Sequence, residues 1–386
     1  MTHDTAPEIR RGKPEDFDLL MDRVVGSFQE RNPGHFRFEN MYPDTVSAGA
    51  ESMGWWWLAF VEGEMAAGLQ IVPRPVRVAG KASLSLGGIG NVFCYPPFRG
   101  GGLMSQLLLR GIQGMQEDGM VLSALGGDRL RYGHFGWENA GATRYLTLSS
   151  STLRHGERDH VSGVSLRTWR GETRDTQRMC DAYHALPYHT VRTPQEFPLV
   201  LSRPGQVVWI CDDEHGFAYV SVRGSSIVEY AGDCDALRRI VRFLIDRTTY
   251  SIQLPTVEGE TELEEMFLAH ASSFTVHPAG MLRVNSLLGC LRAYLPILQQ
   301  RLKGWHGSLC IRMEEDGEGV HIESNGNGVR VVPTDDTSDV PTVRLQRAPL
   351  ARLLFGPFSP TVPEAANNIT RLLFPLPFHW HPMSHV

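Results

Sequence analysis

Three short β-type runs, a loop and one amphipathic helix follow one another twice along this chain. That order restricts the fold to mixed α/β sheets repeated in tandem. In the first copy, apolar runs at 56–61, 65–72 and 82–94 read as strands, separated by turns at Glu62-Gly63-Glu64 and Gly80-Lys81. A loop at 95–102 leads into a helix over 103–118, with Leu103, Leu107, Leu108, Ile112 and Met115 on one side. In the second copy, strands at 207–211, 217–222 and 227–230 lead through Ala231-Gly232-Asp233-Cys234 into a helix over 235–247 that turns Leu237, Ile240, Val241 and Leu244 inward. The second loop has neither the arginine nor the glycine run of the first. Another helix is expected over 16–30 and another short strand over 121–125.

The last third changes character. A helix over 287–301 is interrupted by Pro296, and strands at 309–313, 320–323 and 329–332 are joined by Asp316-Gly317 and Asn325-Gly326-Asn327-Gly328, which are hairpin sequences. A polar linker at 333–339 and a short helix at 350–355 follow. An α/β (α+β) chain of three domains is expected, cut at 1–150, 151–285 and 286–386, each long enough for its own core.

Charge and composition narrow the function. With 37 Lys+Arg against 43 Asp+Glu the net charge is −6, and no basic cluster is present to neutralise phosphates, so nucleic acid is not an expected partner. No apolar run approaches the ~20 residues of a membrane helix. The polar start at 1–16 has no apolar signal core, so a cytoplasmic protein without a membrane partner is expected. The six cysteines are never within four residues of one another, which gives no zinc or redox spacing. His379, His381 and His385 lack the helical spacing of a ligand set, so no metal is expected.

The chemistry points to Val92-Phe93-Cys94-Tyr95-Pro96-Pro97-Phe98-Arg99-Gly100-Gly101-Gly102-Leu103-Met104. Here a strand ends, a glycine loop follows, and a helix begins on the same glycines. Loop amides and the positive end of the helix form a site for phosphate oxygens, and glycine lets the backbone close on the anion. The stretch is not a P-loop, for G-x-x-x-x-G-K-[ST] is missing, nor a dinucleotide fingerprint, nor a G-x-S-x-G nucleophile elbow.

This segment resembles the V-x-V-x-P then R-x-x-G-x-[GA] signature of GNAT-type N-acetyltransferases. Arg131-Tyr132-Gly133-His134-Phe135-Gly136-Trp137 resembles the Y-G-x-F-G-[YW] element of the Eis (enhanced intracellular survival) branch. The resemblance implies two GNAT-like mixed-sheet domains in tandem, the second degenerate, and a C-terminal α+β domain like sterol carrier protein 2, as 350–358 and Leu372-Leu373-Phe374-Pro375 suggest. It implies acetyl-CoA as cosubstrate, with Val92, Phe93 and Cys94 along the pantetheine arm, and Phe93 or Cys94 donating an amide to the thioester carbonyl. Arg99, Gly100, Gly101, Gly102, Leu103, Met104 and Ser105 would hold the pyrophosphate, and Gly127 and Asp128 would add cofactor contacts. Tyr132 matches the general acid that protonates the leaving sulfur. The proton acceptor in that branch is the chain's own terminal carboxylate, here Val386, with His385 as the other candidate.

The same resemblance implies a homo-oligomer, often a hexamer, and a small-molecule amine acceptor of aminoglycoside or polyamine type. Trp55, Trp56 and Trp57 with Phe28, Phe36 and Phe38 are candidates for an aromatic groove around that amine, and Glu30 and Glu39 for attracting it. Two other functions fit the sequence: an acyl-CoA or lipid carrier without catalysis, and a transferase of longer acyl groups.

Overall fold

The computed structural model describes residues 6–28, 37–153, 166–214, 216–247, 251–257, 261–335 and 340–385. Glu30, Phe36 and Val386 lie outside the described residues.

Strands Trp56–Val61 and Glu64–Pro73 are apolar on both faces because both faces are covered. Alternation sends Trp56 and Leu58 toward Leu20 and Val24 of helix Phe17–Phe28, and Trp57 and Ala59 toward Leu107 and Leu108 of helix Leu103–Glu117. Gly114 lets that second helix lie close, since a Cβ there would stand 2.5 Å from the Trp57 ring. Trp56 and Trp57 are thus core residues, which removes both from the expected amine groove.

The first sheet runs in the order Glu8–Arg11, Trp56–Val61, Glu64–Pro73, Leu86–Cys94, Leu122–Leu125, Gly280–Val284, Glu138–Ala140. The second runs Leu166–Thr168, Gln206–Asp213, Gly216–Arg223, Ser226–Gly232, Ile252–Thr256, Thr143–Leu148, Ala271–His277. Each sheet therefore contains one strand from the other's stretch of sequence. Gly280–Val284 enters the first sheet, and Thr143–Leu148 enters the second. The expected cuts after 150 and 285 each fall just beyond an exchanged strand, so the two sheets are interlocked by the chain itself.

Three local expectations change. The run 82–94 divides at Ser85: Ala82–Leu84 pairs with Val76–Val78 in a small sheet completed by His189–Thr190, while Leu86–Cys94 joins the main sheet. Pro296 does not interrupt one helix but sits in the first turn of a second, Leu295–Arg301, after Leu287–Ala293, where its missing N–H has no consequence. Beyond the polar stretch after 333, Thr342–Leu345 forms an unforeseen strand parallel to His306–Met313.

The C-terminal segment is interior rather than frayed: Phe378, Trp380, Met383 and Ser384 are all buried. Buried ion pairs surround it. Asp44, from the first stretch, accepts from Arg74 at 2.7 Å and from Arg203 at 2.8 and 2.7 Å. Arg203 also donates to the His385 carbonyl at 3.1 Å. Arg192 pairs with Glu229 at 2.7 Å, and both Arg192 and Thr190 donate to the Ser384 hydroxyl, at 3.2 and 2.8 Å. Burial would raise the Asp44 carboxyl, but the Arg203 and Arg74 guanidinium groups outweigh it and hold its pKa below the ordinary value.

Two outcomes are expected. Asp44→Asn leaves buried Arg203 without its counter-charge and Arg74 with only Glu196 at 3.8 Å, so urea unfolding should show a loss of about 3–5 kcal/mol and carboxypeptidase should gain access to the tail. Burial also pushes His381 and His385 down to about 4. Unfolded imidazoles near 6.5 take up protons that the folded ones refuse, so this contribution is complete above that pH and is lost as pH falls toward about 4. Melting temperature should therefore drop between pH 7 and 5, and His385→Gln should flatten that slope; an unchanged slope would assign it elsewhere.

Candidate active site

The site begins where two parallel strands part. Leu86–Cys94 pairs with Leu122–Leu125 from Leu86↔Leu122 to Ile89↔Leu125, and the ladder stops there. A bulge re-aims the remainder: Asn91 has φ 55°, and the register against Glu64–Pro73 shifts between Gly68 and Gln70. The Asn91 amide donates to Gln70 Oε1 at 2.7 Å, and Gln70, fully buried, donates to the Thr45 carbonyl at 2.6 Å.

Past the bulge the amides alternate again. Tyr95 N–H donates to the Ala66 carbonyl at 2.9 Å, with Cys94 opposite Ala67 and Phe93 opposite Gly68. Alternation turns the Phe93 amide into the ladder and the Cys94 amide toward the open side. Of the two amides expected to reach a thioester carbonyl, Cys94's has the right direction. The Cys94 carbonyl on the same side accepts from Arg99 Nε at 3.1 Å, tying strand end to loop. The Phe93 ring packs in the core with Trp56 and Leu58.

The loop then exposes its backbone. Gly100 and Gly102 have φ 89° and 74°, conformations glycine alone adopts without strain, and the space beside each is open. Helix Leu103–Glu117 starts directly on Gly102 without a side-chain cap, leaving its first amides for a ligand. An exposed glycine turn on an uncapped helix start fits a pyrophosphate. Leu103 is buried beneath it, Met104 half-buried, and Ser105 exposed.

Tyr132 comes from the short helix Arg129–Gly133, placed by Asp128, whose carboxylate accepts from the Leu130 amide at 2.8 Å. The ring meets Trp137 edge-on at 6.4 Å and shares one cluster with Val92, Cys94, Leu103, Met104 and Leu125. Gly127 makes room for it: a Cβ there would be 2.6 Å from the ring. Burial raises the Tyr132 pKa, Arg131 opposing in part, so the phenol keeps its proton at neutral pH. Strand end, helix start and Tyr132 thus border one apolar core, with Asp128 capping the helix of Tyr132 and Gly127 seating its ring.

The chain's end approaches from the other side. The Trp380 ring lies over Gly280 in the strand beside Leu122–Leu125, and the Trp380 and His385 rings are 4.3 Å apart. Arg203, which holds the His385 carbonyl, lies over Tyr42 at 5.6 Å. Tyr42 is 5.3 Å from Phe38, and Phe38 stacks on Phe28 at 6.1 Å. Phe38 is buried in the same core cluster as Trp56, which leaves the half-buried Phe28 and Tyr42 as the candidates for an aromatic wall. Glu39 is within 3.8 Å of Arg37, and Trp55 caps a helix turn. Asp44, Arg192, Arg203 and Glu229 were not foreseen, for nothing in the sequence marks which charges become buried.

The second copy of the motif differs at the same point. Its loop carries Asp233, whose carboxylate accepts from the Phe217 amide at 2.8 Å just before helix Cys234–Arg247. Gly232 there lies against backbone, a Cβ being 2.2 Å from the Phe217 carbonyl, so no cradle opens.

Comparison with known proteins agrees with this geometry. Residues 8–140 match the acetyltransferase (GNAT) domain family, a span that ends with strand Glu138–Ala140, shortly before the exchanged strand Thr143–Leu148. No curated protein matches the sequence. Among solved structures, a GCN5-related N-acetyltransferase from Anabaena variabilis is 16% identical with TM-score 0.71, covering 97% of this chain and 99% of its own. A probable N-acyltransferase from Enterococcus faecalis is 15% identical with TM-score 0.70, covering 91% and 90%. Eis1 from Mycobacterium abscessus is 14% identical with TM-score 0.63, covering 91% and 90%. These likenesses extend the shared fold over nearly the whole chain. Residues 8–140 thus match a GNAT acetyltransferase domain, which supports an acyltransferase, and the fold of N-acetyltransferases extends over nearly the whole chain.

Proposed function

We propose that this chain is an acetyl-CoA-dependent N-acetyltransferase that moves an acetyl group directly to a primary amine of a small molecule, in a complex holding both substrates. The observation that carries this reading is the parting of two parallel strands beyond Ile89 and Leu125, where one strand feeds an uncapped glycine loop and Tyr132 packs against the same core. Arg99 and the amides of residues 100–105 bind the pyrophosphate, and the pantetheine arm fills the gap beyond Ile89 and Leu125. The Cys94 amide stabilises the oxyanion as the amine lone pair attacks the thioester carbon. The carbon–sulfur bond then breaks, and Tyr132 gives its proton to the thiolate.

The amine must lose a proton. His385, held near 4 by burial, is a weak base at neutral pH. We assign the role to the Val386 carboxylate, orienting the amine or relaying its proton through water, because Arg192, Thr190 and Arg203 grip the two residues before it. A phenylalanine–tyrosine wall and a terminal carboxylate suit a cationic amine such as an aminoglycoside or polyamine. The second unit, with Asp233 at its loop, acts as scaffold rather than as a second CoA site. The last 100 or so residues are read as the domain resembling sterol carrier protein 2, and the assembly as a homo-oligomer.

Tyr132→Phe should lower kcat by about 10²-fold or more while leaving CoA affinity nearly unchanged, measured as thiol release over an amine panel. Extending the chain beyond Val386 should abolish turnover without altering CoA binding; full activity would place the proton acceptor elsewhere. Absence of thiol release with every amine, together with tight acyl-CoA binding, would favour the carrier, and equal rates from acetyl- to octanoyl-CoA the longer-chain transferase.

A further inference from the structure

A cavity of about 820 Å³ opens where the three parts of the chain meet, away from the loop and from Tyr132. Ala79 and Lys81 reach it from the small hairpin, Arg144 and Val257 from the second sheet, and Ile297 to Phe378 from the last part. Junctions of this kind and size are where small ligands bind. The floor is apolar, built from Phe355, Phe374 and Phe378.

The wall above that floor has an unusual charge. Lys81, Arg144, Arg301 and Arg371 line it, and no carboxylate does among the described residues, although the chain as a whole is acidic. Two of these cations have structural partners. Arg144 pairs with Glu264 at 2.9 Å, and Arg301 donates to the Leu373 and Pro375 carbonyls at 2.5 and 2.7 Å. Lys81 meets only the neutral Gln300, at 2.5 Å, and Arg371 has no carboxylate partner among the described residues. Arg371 and Phe374 also face a second space of about 390 Å³ lined by Ser359, Thr361, Asn367 and Thr370, so the charge stands between an apolar and a hydroxyl-lined chamber. A cationic amine would be repelled here, which separates this cavity from the acceptor site.

We propose that this cavity is a second ligand site that takes an anionic amphiphile, its carboxylate or phosphate head at Lys81 and Arg371 and its apolar chain along Phe355, Phe374 and Phe378. The site is independent of the transfer reaction and stands whether or not that assignment holds.

Titration calorimetry on the full chain saturated with CoA tests it, using dodecanoate, dodecyl phosphate, dodecyltrimethylammonium and inorganic phosphate below micellar concentrations. Both anionic amphiphiles should bind saturably at one per chain, the cation and inorganic phosphate should not, and the tighter of the two anions identifies the head group. Lys81→Gln with Arg371→Gln, both exposed positions, should weaken binding about tenfold or more without lowering the melting temperature. Equal binding of the cationic amphiphile, equal binding of inorganic phosphate, binding that appears only when CoA is left out, or unchanged affinity in the double variant would each overturn the proposal.

Discussion

One buried carboxylate joins parts of the chain that the sequence keeps far apart. Asp44 belongs to the first stretch, Arg203 to the second, and the His385 carbonyl that Arg203 also holds to the last. Buried charges persist only when each is paired, because desolvation otherwise dominates. Here the charges pair when the first two stretches meet, and the last adds a neutral carbonyl to the same arginine. The Arg192–Glu229 pair holds Ser384 in the same way, and Tyr219 satisfies Glu229 further by donating to it at 2.9 Å. The strand exchange acts in the same direction, since neither large sheet is complete without a strand from the other's stretch of sequence.

This interlocking explains how a transfer site can be assembled from distant residues and still be rigid. The glycine loop and Tyr132 lie within one domain and owe their positions to the parting of two parallel strands and to the Asn91 bulge. The tail arrives from the far end of the chain, fixed by side chains of the second unit. That unit need not bind CoA to matter: with Asp233 occupying its helix start, its contribution is to hold the tail.

In our reading, the charge distribution separates the acceptor side from the junction cavity. Beside the chain's end lie aromatic rings and, in our reading, a carboxylate; the junction cavity offers cations over an apolar floor. A ligand suited to one is repelled by the other.

Sequence alone determined the local chemistry. The alternation in 56–61, the helical face from Leu103 to Met115 and the run Arg99-Gly100-Gly101-Gly102 depend on neighbours a few positions away, so the first two strands, the glycine loop and the helix after it were legible as elements. Whatever depended on distant partners was decided by the tertiary structure. Thr143–Leu148 and Gly280–Val284 read as ordinary strands, and no local pattern says which sheet each will join. Trp56 and Trp57 could be groove or core by sequence, and packing on both faces of their strand makes them core. No local pattern in 378–385 says what will cover it, and it is interior because buried arginines from elsewhere meet it. Periodicity is a property of the chain, whereas burial of a charge is a property of what packs against it.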